Sequence, residues 1–330
     1  MGQILVTGGA GYIGAHTVKR LAKAGYETVV LDNLSTGHRD FARWGNFIQG
    51  DVCDAAVLDM VFGSREIEAV VHFAAASQVG ESVLSPLFYY QNNVQGAVTL
   101  LAAMRRHKVD TLVFSSTCAV YGPPFDGLLT EDHPIRPLSP YAHTKRMIEQ
   151  ILEDCSRANG LRALCLRYFN AAGADPEGEV GERHLPETHL IPLVLQTALG
   201  QRECIQILGD DYDTPDGTAI RDYIHVQDLA DAHVLALAHL RSGGASGAYN
   251  LGNGLGHSVR QVVEAARAVT GLNVPVRQAP RRAGDSPRLV GDAARARAEL
   301  GWRPQFTDIG EIIQTAWDWH RLEPHDPRPL

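Results

Sequence analysis

The chain of 330 residues carries 30 Lys and Arg against 38 Asp and Glu, a formal net charge of −8. That balance excludes a general nucleic-acid binder but leaves room for local basic pockets that take a small anion. The length suits two lobes rather than one core, and no apolar run is long enough to span a bilayer.

Gln3–Thr7 is a short apolar run that reads as a buried parallel strand. It is followed by Gly8-Gly9-Ala10-Gly11-Tyr12-Ile13-Gly14 and an amphipathic stretch to about Gly25. Strand, glycine turn and helix start make the phosphate-binding unit of dinucleotide folds. Gly8, Gly11 and Gly14 let the backbone approach a pyrophosphate, and the helix N-terminus at Tyr12 and Ile13 offers free N–H groups. A second strand, Glu27 to Leu31, ends at Asp32, placed to accept hydrogen bonds from ribose hydroxyls. A carboxylate there repels a 2′-phosphate, which favours NAD over NADP, with Arg39 the one nearby cation in sequence. Gly50-Asp51-Val52 closes a third strand where an adenine is met.

Ala69 to Phe73 is a fourth strand, and the small residues Ala74, Ala75 and Ala76 leave space at its carboxyl end. Pro86 to His107 reads as one long helix. Strand five, Thr111 to Ser116, runs into Ser115-Ser116-Thr117, hydroxyls that can share a proton.

Ser139-Pro140-Tyr141-Ala142-His143-Thr144-Lys145 opens the next helix, with Pro140 in its first turn. Tyr141 and Lys145 stand four apart, on one helical face. A free tyrosine has a pKa of about 10, and a nearby ammonium lowers it. The pair therefore reads as a proton-transfer device, tyrosine acting and lysine tuning. The chain has 10 Tyr but only four Lys, so chance supplies roughly 0.12 such pairs. The helix runs to about Asn159, and Ala163 to Tyr168 is strand six.

Alternating strands and helices to this point indicate an α/β, doubly wound parallel sheet. From Ala171 elements become short and irregular: Leu190–Leu199 helical, Ile205–Leu208 extended, Arg221–Val226 extended. Gln227–Leu240 is helical, Gly247–Leu251 extended and Ser258–Thr270 helical. The division is therefore 1–172 for a dinucleotide lobe and 173–330 for a smaller mixed substrate lobe, with some interleaving. Pro324–Leu330 reads as a loose tail. The five cysteines are odd in number, scattered and without C-x-x-C, which suggests reduced thiols in a cytoplasm. The 14 histidines lack H-E-x-x-H or similar spacing, so no metal is expected. The N-terminus begins directly with a strand and carries no recognisable signal peptide.

These motifs together resemble the extended short-chain dehydrogenase/reductase superfamily, and more closely its family of UDP-glucose (UDP-galactose) 4-epimerases. The resemblance rests on Thr7–Gly14, Leu31–Ser35, Val71–Ala75, Val79–Ser82, Tyr89–Val94, Phe114–Thr117 and Ser139–Tyr141. It continues through Leu166–Asn170, Asp216–Thr218, Arg221–Val226, Tyr249–Gly252 and Ala279–Asp285. It implies NAD as cofactor, a UDP-sugar as substrate, and pairing of two subunits through the helices near 86–107 and 140–159. Tyr141, Lys145 and Thr117 would be catalytic, with Tyr141 and Thr117 also touching the sugar. Asn33, Phe73, Asn92, Ser115 and Tyr168 would join the cofactor set. Arg221 and Arg282 would grip the pyrophosphate, whose oxygens suit a guanidinium fork. Asp285 would hold the uridine ribose, Asn170 the sugar-diphosphate, and His189 and Leu190 the nucleotide.

Three departures from the family pattern matter. Thr117 stands where many members have Ser, and Ser77 where some have a phosphate-reaching Lys. Leu289 falls where the family varies between Tyr and smaller residues, a position thought to gate N-acetylated sugars. The nearest rival is a 4,6-dehydratase of nucleotide sugars, which needs an acid and a base after the strand-five hydroxyl. Cys118 and Ala119 occupy those places. Epimerisation of UDP-N-acetylglucosamine or of UDP-glucuronate is a further alternative, and a non-catalytic NAD-sensing scaffold one from a different class.

Overall fold

Residues 2–122, 127–282 and 285–322 are described by a computed structural model. Pro123, Pro124, Ala283, Gly284 and the tail from Pro324 lie outside the described residues. The first strands are β1 (Gln3–Thr7), β2 (Thr28–Asp32), β3 (Asn46–Gln49) and β4 (Ile67–His72). α1 (Tyr12–Lys23) joins β1 to β2, and α2 (Ala55–Ser64) joins β3 to β4. β1, β2 and β4 are runs of Val, Ile and Leu buried on both faces, as parallel strands between helical layers are. β3 lies at the edge and ends at Gln49. The expected continuation to Val52 is instead a turn, in which the Asp51 carboxylate accepts the Cys53 N–H at 2.7 Å.

The stretch expected as one helix from Pro86 is broken in pitch. After α3 (Val79–Leu84) come α4 (Pro86–Tyr89), a wide π turn over Tyr90–Gln95, and α5 (Gly96–Arg106). Buried Asn93 lies in the wide turn. Its amide accepts from Ala76 N at 2.8 Å and donates to Ala76 O at 3.0 Å and Thr144 Oγ1 at 3.1 Å. β5 (Thr111–Thr117) leads to α6 (Pro140–Asn159) and β6 (Arg162–Tyr168). α6 starts where the residues say it must: Ser139 Oγ accepts the Ala142 N–H at 3.2 Å, with Pro140 beside it. Gly160 ends it at φ 71°, a left-handed cap that a side chain resists.

Beyond lie β7 (Asn170–Ala172), α7 (Leu190–Ala198), β8 (Ile205–Leu208), β9 (Ile220–Arg221) and β10 (Tyr223–His225). The run Arg221–Val226 is split because Asp222 turns inward. Its buried carboxylate accepts N–H groups from Asn253, Gly254 and Gly291 at 3.0, 3.0 and 3.1 Å. α8 (Val226–Arg241) packs on α1, and β11 (Gly247–Leu251) pairs parallel with β6. The chain past Ala172 therefore returns to the first lobe and completes its sheet. The seven strands run in the order β11-β6-β5-β4-β1-β2-β3. Strand order reverses between β1 and β4, and in such sheets ligands lie in the crevice at that switch point.

The remaining elements are β12 (His257–Ser258), α9 (Val259–Thr270), β13 (Val276–Ala279), β14 (Arg288–Leu289), α10 (Ala294–Glu299) and α11 (Ile309–His320). α7, α9 and α11 share an apolar core around Val194, Leu195, Val262 and Ile313. Each such side chain contributes about 1.5–3 kcal/mol by leaving water. β9 is flanked by β12 and β14, which sets Leu289 beside Arg221.

Candidate active site

At the switch point, glycines bring two loops into contact. Gly8 adopts φ +72°, and a Cβ there would lie 2.6 Å from Ala74 N. A Cβ on Gly14 would lie 2.2 Å from Gly8 O. Gly11 occupies the N-cap position of α1, where no side chain supplies a cap and no acidic residue stands in the first turn. The first-turn N–H groups at Tyr12 and Ile13 thus face an uncapped, glycine-lined cradle suited to a pyrophosphate. At the end of β2, Asp32 accepts N–H groups from Ala10 at 3.0 Å and Leu34 at 2.9 Å. Burial nevertheless pushes its carboxyl up. Asn33 donates to Asp51 Oδ2 at 2.9 Å, beside buried Val52. Arg39 stacks on Phe47 at 4.3 Å, which gives it a partner other than a 2′-phosphate. These residues fit a dinucleotide with a free ribose, which is NAD.

Other members of the expected cofactor set line the same crevice. Phe73 and Ala74 continue from β4, both taking the Thr7 carbonyl as acceptor, and Ala75 follows them. Asn92 donates to Asn93 Oδ1 at 2.9 Å. The hydroxyls of Ser115 and Tyr168 share a very short hydrogen bond at the ends of β5 and β6. Tyr12 donates to Gly173 O at 2.6 Å and so fastens the cradle to the second half of the chain.

Tyr141 and Lys145 lie on the first turns of α6, over the end of β5. Lys145 is buried, and its Nζ donates to Ser115 O at 2.8 Å, 5.9 Å from the centre of the Tyr141 ring. The Thr117 hydroxyl accepts the Ala119 N–H at 3.2 Å and lies close enough to the Tyr141 phenol to favour its ionised form. Without the cofactor's charge, the expected depression of the phenol is not seen. Burial pushes Tyr141 well above its ordinary value, and the Thr117 contact only partly offsets it. Burial also draws Lys145 down from 10.5 to about 7, with Glu149 opposing. Both members are therefore poised toward neutrality.

At the other end, Arg221, Arg282, Asp285 and Leu289 come together. Arg221 donates to Ser286 O at 2.9 Å and meets Asp285 at 3.3 Å. Exposed Arg282 meets the same carboxylate at 3.2 Å. Leu289 pairs with Arg221 across the β9–β14 ladder. Asn170 opens β7, and its N–H donates to Asp222 O at 2.9 Å. Leu190 is the first residue of α7. His189 precedes it, but its Nδ1 is engaged elsewhere, 2.8 Å from Glu182 and 3.0 Å from Glu187.

Two groups escape the motif reading. Behind Lys145, Glu149 is gripped by Arg167 through two bonds of 2.8 and 2.7 Å and by Ser116 at 2.6 Å. Its position one turn after Lys145 on an amphipathic helix was the available signal. Glu182, His184, Glu187 and His189 also gather their ligand-capable atoms within 4.8 Å of one another. Its spacing, E-x-H-x-x-E-x-H on a loop, differs from H-E-x-x-H and needs no helical register.

Residues 4–252 match the NAD dependent epimerase/dehydratase family. A UDP-glucose 4-epimerase of Halalkalibacterium halodurans is 52% identical over 322 residues, 98% of this chain and 96% of its own. The crystal structure of UDP-glucose 4-epimerase from Brucella ovis in complex with NAD superposes with a TM-score of 0.94 at 50% identity, covering 96% of this chain and 98% of that one. The Bifidobacterium longum enzyme in complex with NAD⁺ and UDP gives 0.92 at 38% identity, covering 97% and 98%.

Proposed function

The chain belongs to the NAD-dependent epimerase/dehydratase family, and we infer that it catalyses 4-epimerisation of UDP-hexose, converting UDP-galactose to UDP-glucose. The observation that carries this reading is the meeting of Tyr141, Lys145 and Thr117 at the end of β5, with no carboxylate in the two positions after Thr117. Those positions hold Cys118, whose thiol burial pushes up to about 12, and Ala119. Neither can serve as the second acid or base that water elimination across C5–C6 demands.

Gly8, Gly11 to Gly14, Asp32, Asn33 and Asp51 would hold NAD, with Val52, Phe73, Ala74, Ala75, Asn92, Ser115, Lys145 and Tyr168 along its length. Bound NAD would supply the redox chemistry of the cycle, a hydride exchanged reversibly with the sugar C4. Tyr141 takes the C4 hydroxyl proton and later gives it back. Thr117 shares that proton, and the Lys145 ammonium supplies positive charge beside the phenol. Arg221 and Arg282 hold the pyrophosphate while the 4-keto sugar turns, so remote binding energy retains the intermediate. For that to happen, Asp285 must yield part of its hold on both arginines, and it is then free to accept ribose hydroxyls. No net redox occurs. Purified protein given UDP-galactose and no added cofactor is expected to form UDP-glucose. A 4-keto-6-deoxy product would replace this reading with a dehydratase.

The lobes divide at about 172, with α8 and β11 counted in the NAD lobe. A homodimer through the helices near 86–107 and 140–159 is supported by apolar side chains exposed there: Leu87 at 75%, Phe88 at 49%, Val98 at 47% and Met147 at 46%. Sedimentation at micromolar concentration should give a dimer that Leu87→Asp with Val98→Asp converts to monomer. A monomeric parent protein would refute the assignment. Among the described residues no helix is long and apolar enough to cross a membrane. All five cysteines are unpaired, which supports a cytoplasmic location.

A further inference from the structure

The group at Glu182, His184, Glu187 and His189 lies outside the proton-transfer machinery and asks for its own account. The Glu182 and Glu187 side chains are only 4% and 5% exposed, although each carries a carboxylate. Burying two carboxylates side by side is costly unless about two positive charges accompany them. Both imidazoles turn Nδ1 toward them. His184 Nδ1 lies 3.1 Å from Glu182 and 3.7 Å from Glu187, and His189 Nδ1 lies 2.8 and 3.0 Å from the same pair. With one ligand atom taken from each residue, the four lie within 4.8 Å of one another, and zinc bonds of about 2.0–2.2 Å in a tetrahedron would set them about 3.3–3.6 Å apart, so the shorter histidine–carboxylate contacts would open slightly around an ion. The scaffold around the group is built. Trp319 Nε1 donates to Glu182 O at 3.2 Å, and the His38 ring nitrogen meets Arg183 O at 2.7 Å.

We propose that Glu182, His184, Glu187 and His189 form a binding site for one divalent transition-metal ion, with zinc the preferred occupant. Two carboxylates, two neutral imidazoles and a divalent ion sum to zero charge. Two imidazole nitrogens and two carboxylate oxygens suit zinc rather than calcium or magnesium, which take oxygen ligands. The ion would fasten the loop 182–189 as a clasp at the start of α7, beside Tyr12 of the cofactor cradle, whose ring centre is 6.2 Å from that of His184. The second acidic group, Asp175, Glu177 and Glu179, already holds the Lys19 ammonium at 2.7, 2.8 and 2.5 Å and offers no nitrogen ligand.

The test uses the full chain, stripped with a chelator and titrated with zinc chloride and, separately, cobalt chloride. The expected result is one equivalent of zinc per chain, a rise in Tm, and the intense visible absorption of four-coordinate cobalt. His184→Gln and Glu187→Gln should each weaken zinc binding at least as much as the ten- to hundredfold that loss of outer-shell partners costs. Unchanged zinc affinity in both variants would overturn the proposal, because the ion would then sit elsewhere. If neither variant folds, the parent protein decides. Failure to bind one equivalent, or a cobalt spectrum without four-coordinate bands, leaves the group as a proton-held network and ends the proposal.

Discussion

Tyr141→Phe is expected to lower kcat for UDP-galactose by about 10²–10⁴-fold, the range general acid–base groups supply. The affinity for UDP should stay within about twofold of the parent, since a factor of two is only about 0.4 kcal/mol. The asymmetry follows from position. The phenol stands on α6 over the end of β5, whereas the proposed pyrophosphate-holding Arg221 and Arg282 lie on β9 and beside Asp285. The variant loses one hydroxyl and keeps its ring, so packing around Thr117 and Ser115 is spared. Turnover with UDP-galactose and calorimetric titration with UDP make the comparison. An unchanged rate would remove Tyr141 from the chemistry.

Lys145→Met is expected to abolish most turnover and yet raise the Tm of the cofactor-free protein. Lysine here has a folded value of about 7 against 10.5 unfolded. Between those values the unfolded chain binds the extra proton, so this residue destabilises the fold. The penalty is complete below pH 7, diminishes as pH rises, and vanishes above 10.5. Methionine removes it at the cost of the bond to Ser115 O, about 1 kcal/mol. Tm measured from pH 6 to pH 10 should show a gain of a few degrees at the acid end that fades toward the alkaline end. A loss of stability at pH 6 would mean that the ammonium is stabilised in the fold, contrary to the burial argument.

The cofactor cradle was legible because its parts are consecutive: strand, glycines and helix start lie within Gln3–Gly14, and local chain geometry dictates their use. The Tyr141–Lys145 spacing was legible because α6 is helical through both residues and capped by Ser139. What sequence could not supply was burial. The direction in which Tyr141 and Lys145 titrate depends on how deeply β5 and α6 enclose them, and that enclosure comes from strands distant in sequence. The same holds for β11, an unremarkable run that becomes the seventh strand only because α8 carries the chain back across the sheet. Asp222 broke an expected strand through three N–H donors from residues 253, 254 and 291, a long-range event with no local signature. Arg221 and Arg282 were placed by family resemblance. Their own surroundings carry no label until Asp285 draws them together.

The amine one helical turn away is expected to make the phenol acidic once the cofactor's charge is present. Ultraviolet difference titration of the NAD-loaded protein tests it, with Tyr141→Phe as the baseline that subtracts the other tyrosines. The Tyr141 phenolate should appear about one pH unit or more lower in the parent than in Lys145→Met, the shift a cation at such a distance exerts. The same titration midpoint in both proteins would contradict the account.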